Sequence, residues 1–85
     1  MTWRVLWGEA ARRDLRKLDK AIANRAIQAV ERLAESERGD VKRLHGADKE
    51  WRLRVGDWRV RFTYDDQTGE LVVIRVLHRR NAYRR

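Results

Sequence analysis

Residues 51–64, WRLRVGDWRVRFTY, constrain this chain more than any other stretch. Trp51, Leu53 and Val55 alternate with Arg52 and Arg54, and Trp58, Val60, Phe62 and Tyr64 alternate with Arg59, Arg61 and Thr63. A strict period of two means strands with one buried and one wet face. Gly56-Asp57 falls where a two-residue hairpin turn belongs, because glycine takes a positive φ freely. That turn sets Val55 against Trp58, Leu53 against Val60 and Trp51 against Phe62. It also sets Arg54 against Arg59 and Arg52 against Arg61. Like charges placed opposite one another destabilise a sheet. Four guanidinium groups on one face are tolerated most readily where an anion normally sits, or where solvent and salt dilute their charge.

The rest of the chain supplies a partner for the apolar face. Trp3, Val5 and Trp7 predict a short first strand that Gly8 ends. From Glu9, Ala11, Leu15 and Leu18 fall at helical spacing. Asp19 is expected to start a second helix, with Ile22, Ala26, Ala29, Val30 and Leu33 as its stripe and Gly39 as its terminator. Residues 40–50 read as a loop, with Val41 and Leu44 tucked in and His45 set against the core. Residues 65–70 are a polar turn. Leu71–His78 is an apolar, β-branched run expected to be an interior strand. The fold class is therefore α+β, in the order β-α-α-β-β-β: a helical hairpin packed on one face of a small, mainly antiparallel sheet. Residues 1–85 are expected to form a single domain. Both helices fall between the first and second strands, so they cover one face only and the arginine face stays open.

The charge is uneven. Residues 1–40 carry nine Lys/Arg against seven Asp/Glu, a balance of +2, and residues 41–85 carry twelve against six, a balance of +6. A basic excess in one half points to a polyanionic partner, and a preference for Arg suits bidentate phosphate contacts. There is no Cys, so disulfides and thiolate metal sites are excluded. His45 has no second ligand at a metal-binding spacing. No apolar run is long enough for a membrane span, and no signal-peptide pattern opens the chain, so a cytoplasmic location is the expectation. The candidate site is the set Arg52, Arg54, Arg59 and Arg61. His78, Arg79, Arg80 and Tyr83 are expected to reach one end of that face. Histidine is a residue type suited to exchanging a proton, and Tyr83 would stack on a base or move a proton.

Lys42-Arg43-Leu44-His45-Gly46, the hairpin Trp51–Phe62 and the ending His78-Arg79-Arg80…Tyr83 together resemble the RelE/ParE superfamily of toxins from type II toxin–antitoxin systems, and more closely its RelE branch. The resemblance spans nearly the whole chain. It implies a ribosome-dependent mRNA endoribonuclease that works in the 30S A site beside 16S rRNA without a metal or other cofactor. Such a toxin inhibits translation, arrests growth and is held inactive by a cognate antitoxin. The resemblance places catalytic roles on Arg52, Arg54, Arg59, Arg79 and Tyr83. Arg61 shares the face without a family counterpart and is read, with Lys42, Arg43 and Arg80, as an RNA contact. The RelE pattern has lysines where this chain has Arg52 and Arg54. Arginine holds its proton too firmly to be a good base, so His78 is the substitute expected for that role and Tyr83 the next. Two other readings stand beside this one: a ParE-like inhibitor of DNA gyrase, and a nucleic-acid-binding module without catalysis.

Overall fold

The computed structural model describes residues 2–44 and 49–82. In chain order these form β1 (Arg4–Trp7), α1 (Glu9–Arg16), α2 (Lys20–Ser36), β2 (Asp40–Arg43), β3 (Trp51–Val55), β4 (Trp58–Asp65) and β5 (Glu70–His78). The strands make one sheet in the order β1-β5-β4-β3-β2. β1 runs parallel to β5 and every other pair is antiparallel. Both helices pack on one face, as expected of an α+β chain with this element order. His45, expected against the core, Gly46, expected in a turn, and Tyr83 lie outside the described residues.

The hairpin has the register that its alternation dictates: Trp51 opposite Phe62, Arg52 opposite Arg61, Leu53 opposite Val60, Arg54 opposite Arg59, and Val55 opposite Trp58. Gly56 takes φ +59 in the turn, where any side chain would be strained. The inward phase is sealed: Leu53, Val60 and Phe62 are buried with Leu71, Val73 and Val76 of β5. Ala11, Ala26, Val30, Leu33 and Ala34 cover them from the helices. Full burial of a side chain such as Phe62 is worth roughly 1.5–3 kcal/mol, so a few such residues carry much of the stability of so small a domain. Trp3 closes one margin by stacking on Tyr64, with ring centroids 4.6 Å apart.

Two expectations need correction. Residues 40–43 are not loop but an edge strand, β2, antiparallel to β3 with Val41 opposite Leu53 and Lys42 opposite Arg52. The sheet therefore has five strands. Four residues carry too little pattern to reveal a strand, and β2 exists because β3 offers it a free edge. The terminator of α2 is also not Gly39. Glu37 takes the left-handed conformation at φ 57, and its N–H closes the last turn on the Leu33 carbonyl. Gly39 is needed for space instead, since a Cβ there would sit 2.8 Å from Leu53 Cδ1.

β5 contains the feature that sets the far end of the site. Phe62 pairs with Val73 but Arg61 pairs with Arg75, so Ile74 is an extra residue. A bulge of this kind shifts the alternation of everything beyond it. Leu71 and Val73 face the helices before the bulge, and Val76, opposite Val60, does so after it. β1 stops at Trp7, opposite Val73, leaving the edge of β5 bare from Ile74 onward. Asp14 of α1 fills that gap. Its Oδ2 accepts the Val76 N–H at 2.9 Å, and its two oxygens take the Arg75 guanidinium at 2.8 and 3.0 Å.

Candidate functional site

The open face of the sheet carries two rows of side chains, each crossing several strands. One row is Lys42, Arg52, Arg61 and Arg75, paired successively across β2, β3, β4 and β5. The other is Asp40, Arg54, Arg59 and Leu77. Positions two apart on a strand are about 7 Å apart, so the rows are neighbours.

In the first row much of the charge is already answered. Glu50 meets Arg61 at 2.6 Å, with the carboxylate side chain 14% exposed. Arg75 is drawn over the sheet edge to Asp14, and the hydrogen bond to that carboxylate pushes the Arg75 pKa upward, against the opposing effect of burial. Arg52 Nε and Arg61 Nε are buried without an acceptor among the described residues. Buried donors of this kind favour an added acceptor on the face. A carboxylate, Glu50, thus stands among the arginines of this face. Its signal was available, because Glu50 precedes β3 on the same phase as Arg52 and Arg54. Asp14 was equally legible: it falls at i+3 from Ala11 and i−4 from Leu18, on the buried stripe of α1.

The second row gathers at the hairpin tip. Arg59 is 9% exposed, and its Nη1 donates to the carbonyls of Gly56 and Trp58 at 2.8 and 3.0 Å. Two bonds to backbone fix the guanidinium at the turn. Arg79 comes to the same turn from the end of β5. Its N–H donates to the Asp57 carbonyl at 2.8 Å, and its Nη1 lies 4.0 Å from the Asp57 carboxylate. Arg54 is exposed beside them. The structure thus brings Arg54, Arg59 and Arg79 together, with Arg52 and Arg61 in the adjoining row.

The same bulge separates His78 from this group. His78 pairs with Trp58, on the helix-covered phase, and its ring meets the Trp58 ring edge-on at 5.3 Å. Its Nδ1 accepts the Arg80 N–H at 3.3 Å. The expectation that His78 reaches the arginine face does not hold, because one inserted residue upstream reverses the side it occupies. Arg43 is likewise on the other phase, opposite Trp51, with its guanidinium 5.8 Å from that ring's centre. Lys42 is on the open face. Arg80 is exposed in the turn after β5. Among the described residues, no group of three or more His, Asp or Glu side chains is placed to hold a metal ion. Nor, among them, is any helix long and apolar enough to cross a membrane.

A basic, open, partly pre-set surface of this kind can hold successive phosphates and stabilise charge that builds on one of them. The comparisons agree with a toxin fold. The family model described as the ParE toxin of the type II toxin–antitoxin system parDE matches residues 5–83. The toxin–antitoxin complex RelBE2 from Mycobacterium tuberculosis contains a chain 28% identical, with a TM-score of 0.75 over 92% of this chain and 99% of that one. The archaeal RelE–RelB complex from Pyrococcus horikoshii OT3 contains one 26% identical, with a TM-score of 0.77 over 96% of this chain and all of that one. A free double mutant of the E. coli toxin RelE shares the fold, with a TM-score of 0.79 at 21% identity over 96% of this chain and 88% of that one. No curated protein sequence matches the chain.

Proposed function

The chain belongs to the ParE toxin family of type II toxin–antitoxin systems, within the RelE/ParE superfamily and with a RelE-like fold, and from that premise we propose that it is a ribosome-dependent endoribonuclease that cuts mRNA in the A site. The observation that carries this reading is the meeting of Arg54, Arg59 and Arg79 at the hairpin tip, on the face the helices leave open. Inhibition by contact alone would not call for a buried, backbone-fixed guanidinium in the middle of a basic face.

In the proposed reaction the ribose 2′-OH attacks the adjacent phosphate. The bond from phosphorus to the 5′ oxygen breaks, and the products are a 2′,3′-cyclic phosphate and a 5′-OH. Arg59 and Arg79 stabilise the dianionic phosphorane, and Arg54 with Arg52 holds the backbone on either side. The proton leaving the 2′-OH needs an acceptor that arginine does not provide. With His78 on the other face, that role passes to Glu50, the largely buried carboxylate held on Arg61. Tyr83 stacks on the substrate base or returns a proton to the 5′ oxygen, as the resemblance implies. Lys42 extends the backbone contacts, and Arg61, held on Glu50, adds little to them. The ribosome supplies alignment of the scissile bond, a contribution that oriented reactants make large. A cognate antitoxin is the partner that restrains the toxin.

The test is expression in a translating extract, with and without ribosomes, followed by mapping of mRNA 5′ ends. New ends within the occupied A site are expected only when ribosomes are present. Intact mRNA at toxin levels that stop growth would overturn the proposal. A second reading, inhibition of DNA gyrase, is favoured by the ParE family model itself. Gyrase-dependent double-strand breaks on expression, with mRNA intact, would establish it instead.

A further inference from the structure

A second basic feature lies away from the two rows. An open groove of about 460 Å³ runs between α2 and the end of the hairpin, with Arg25, Arg32, Arg38 and Arg54 on its walls and Leu53 and Val55 among its floor residues. Arg25 and Arg32 are seven residues apart on α2, two turns and about 10 Å along one face. Arg25 Nη2 lies against the hairpin turn, 3.4 Å from where a Gly56 Cβ would stand. Among the described residues, Asp40 is the one carboxylate lining the groove. None of the four arginines forms an ion pair among the described residues, whereas Arg4, Arg13, Arg61, Arg75 and Arg79 all do.

We propose that this groove binds the sugar–phosphate backbone of structured RNA, as an extension of the hairpin-tip site. Continuity argues for it. Arg54 belongs both to the open face and to the groove, and the Gly56-Asp57 turn is bracketed by Arg25 on one side and by Arg59 and Arg79 on the other. A polyanion can therefore pass round the hairpin tip without leaving guanidinium contact. Four arginines with fork geometry, none ion-paired among the described residues, suit phosphate oxygens, and a spacing of two helical turns suits a ligand with charge repeated along its length. The inference deepens the RNA reading above by giving the molecule a second contact that does not touch the scissile phosphate.

The experiment uses the double variant Arg25→Gln/Arg32→Gln, whose substitutions fall on exposed helix positions, with a short RNA duplex as the probe and poly-glutamate as competitor. Affinity for the duplex should fall about tenfold at 0.1 M salt, and the slope of log affinity against log salt should lessen by about two. Unchanged affinity and slope would overturn the proposal. Loss of poly-glutamate binding with duplex binding intact would also overturn it, in favour of an acidic protein partner. The outcome separates from that of the cleavage reading. Weakened duplex binding while the unaltered protein leaves mRNA intact would keep the groove and remove the nuclease. Unweakened binding while the unaltered protein cleaves would do the reverse.

Discussion

The two arginine rows have the same residue type, the same face and neighbouring positions, yet they are built differently. Arg61 and Arg75 are spoken for by Glu50 and Asp14 at 2.6 to 3.0 Å. Among the described residues Arg59 is held only by neutral carbonyls, and the nearest carboxylate to Arg79 is 4.0 Å away, with both partners well exposed. A guanidinium bonded to a carboxylate has little net charge left to offer a phosphate. One bonded to a carbonyl keeps all of it and is still fixed in place. Arg61 and Arg75 therefore steady the sheet, while Arg59 and Arg79 present charge. Arginine content alone does not mark a site; the identity of what each arginine leans on does.

Four measurements test that division. The largest effect is expected from Arg59→Ala, which should lower mRNA cleavage by roughly a hundred- to a thousandfold, as loss of one fixed donor to a developing oxyanion does. Cleavage that survives this change in a translating extract would break the assignment. Asp14→Ala should lower stability by about 3 kcal/mol in denaturant titration, because it strands the Val76 N–H and releases Arg75. Asp14→Asn should recover part of the loss, since its amide oxygen still accepts the Val76 N–H. If Asp14→Ala costs less than Arg54→Ala in stability, the contrast between the rows is wrong.

Glu50→Gln sharpens the boundary between them. Cleavage should fall about tenfold to a hundredfold as the proton acceptor is lost, while RNA affinity rises because Arg61 is freed. A fall in both would make Glu50 a purely structural partner. The smallest effect lies on the opposite face. Burial, reinforced by the charge of Glu37, raises the Tyr64 pKa above its ordinary 10.0. The unfolded phenol therefore ionises first as pH rises. The contribution of this residue is fully present below pH 10 and is lost as pH climbs through the raised folded value. Urea midpoints taken from about pH 9 to 11 should decline, and Tyr64→Phe should flatten the decline without changing cleavage.

How much of this was legible followed from how one-sided each element is. The hairpin register could be read outright, because strict alternation on both strands admits one pairing and Gly56-Asp57 fixes the turn. The order of elements and the single covered face followed from the same logic. β5 hid its bulge because a run that is apolar on both sides has no visible phase. Val72, Ile74 and Leu77 look the same to a pattern reader whichever way they point. That is why the sides of His78 and Arg79 were not decided by the sequence, and why His78 was expected where Glu50 stands. β2 was invisible for a different reason, since four residues at an edge draw their conformation from β3 rather than from themselves. Glu50 and Asp14 were in plain view as acidic residues on phases that predicted their company, one among arginines and one on a buried stripe.

The single extra residue in β5 also bears on how such a molecule changes over generations. Removing one codon near Ile74 would leave the hairpin and the helices untouched and reverse every side chain from Arg75 to Arg79. Histidine and arginine would then trade places between the two sides of the sheet. Diversity of reactive groups among relatives can thus arise from shifts in strand length as readily as from replacement of residues. Wherever one of two aligned chains carries the extra residue and the other lacks it, a column-by-column match through the last strand would equate side chains that lie on opposite faces of the sheet.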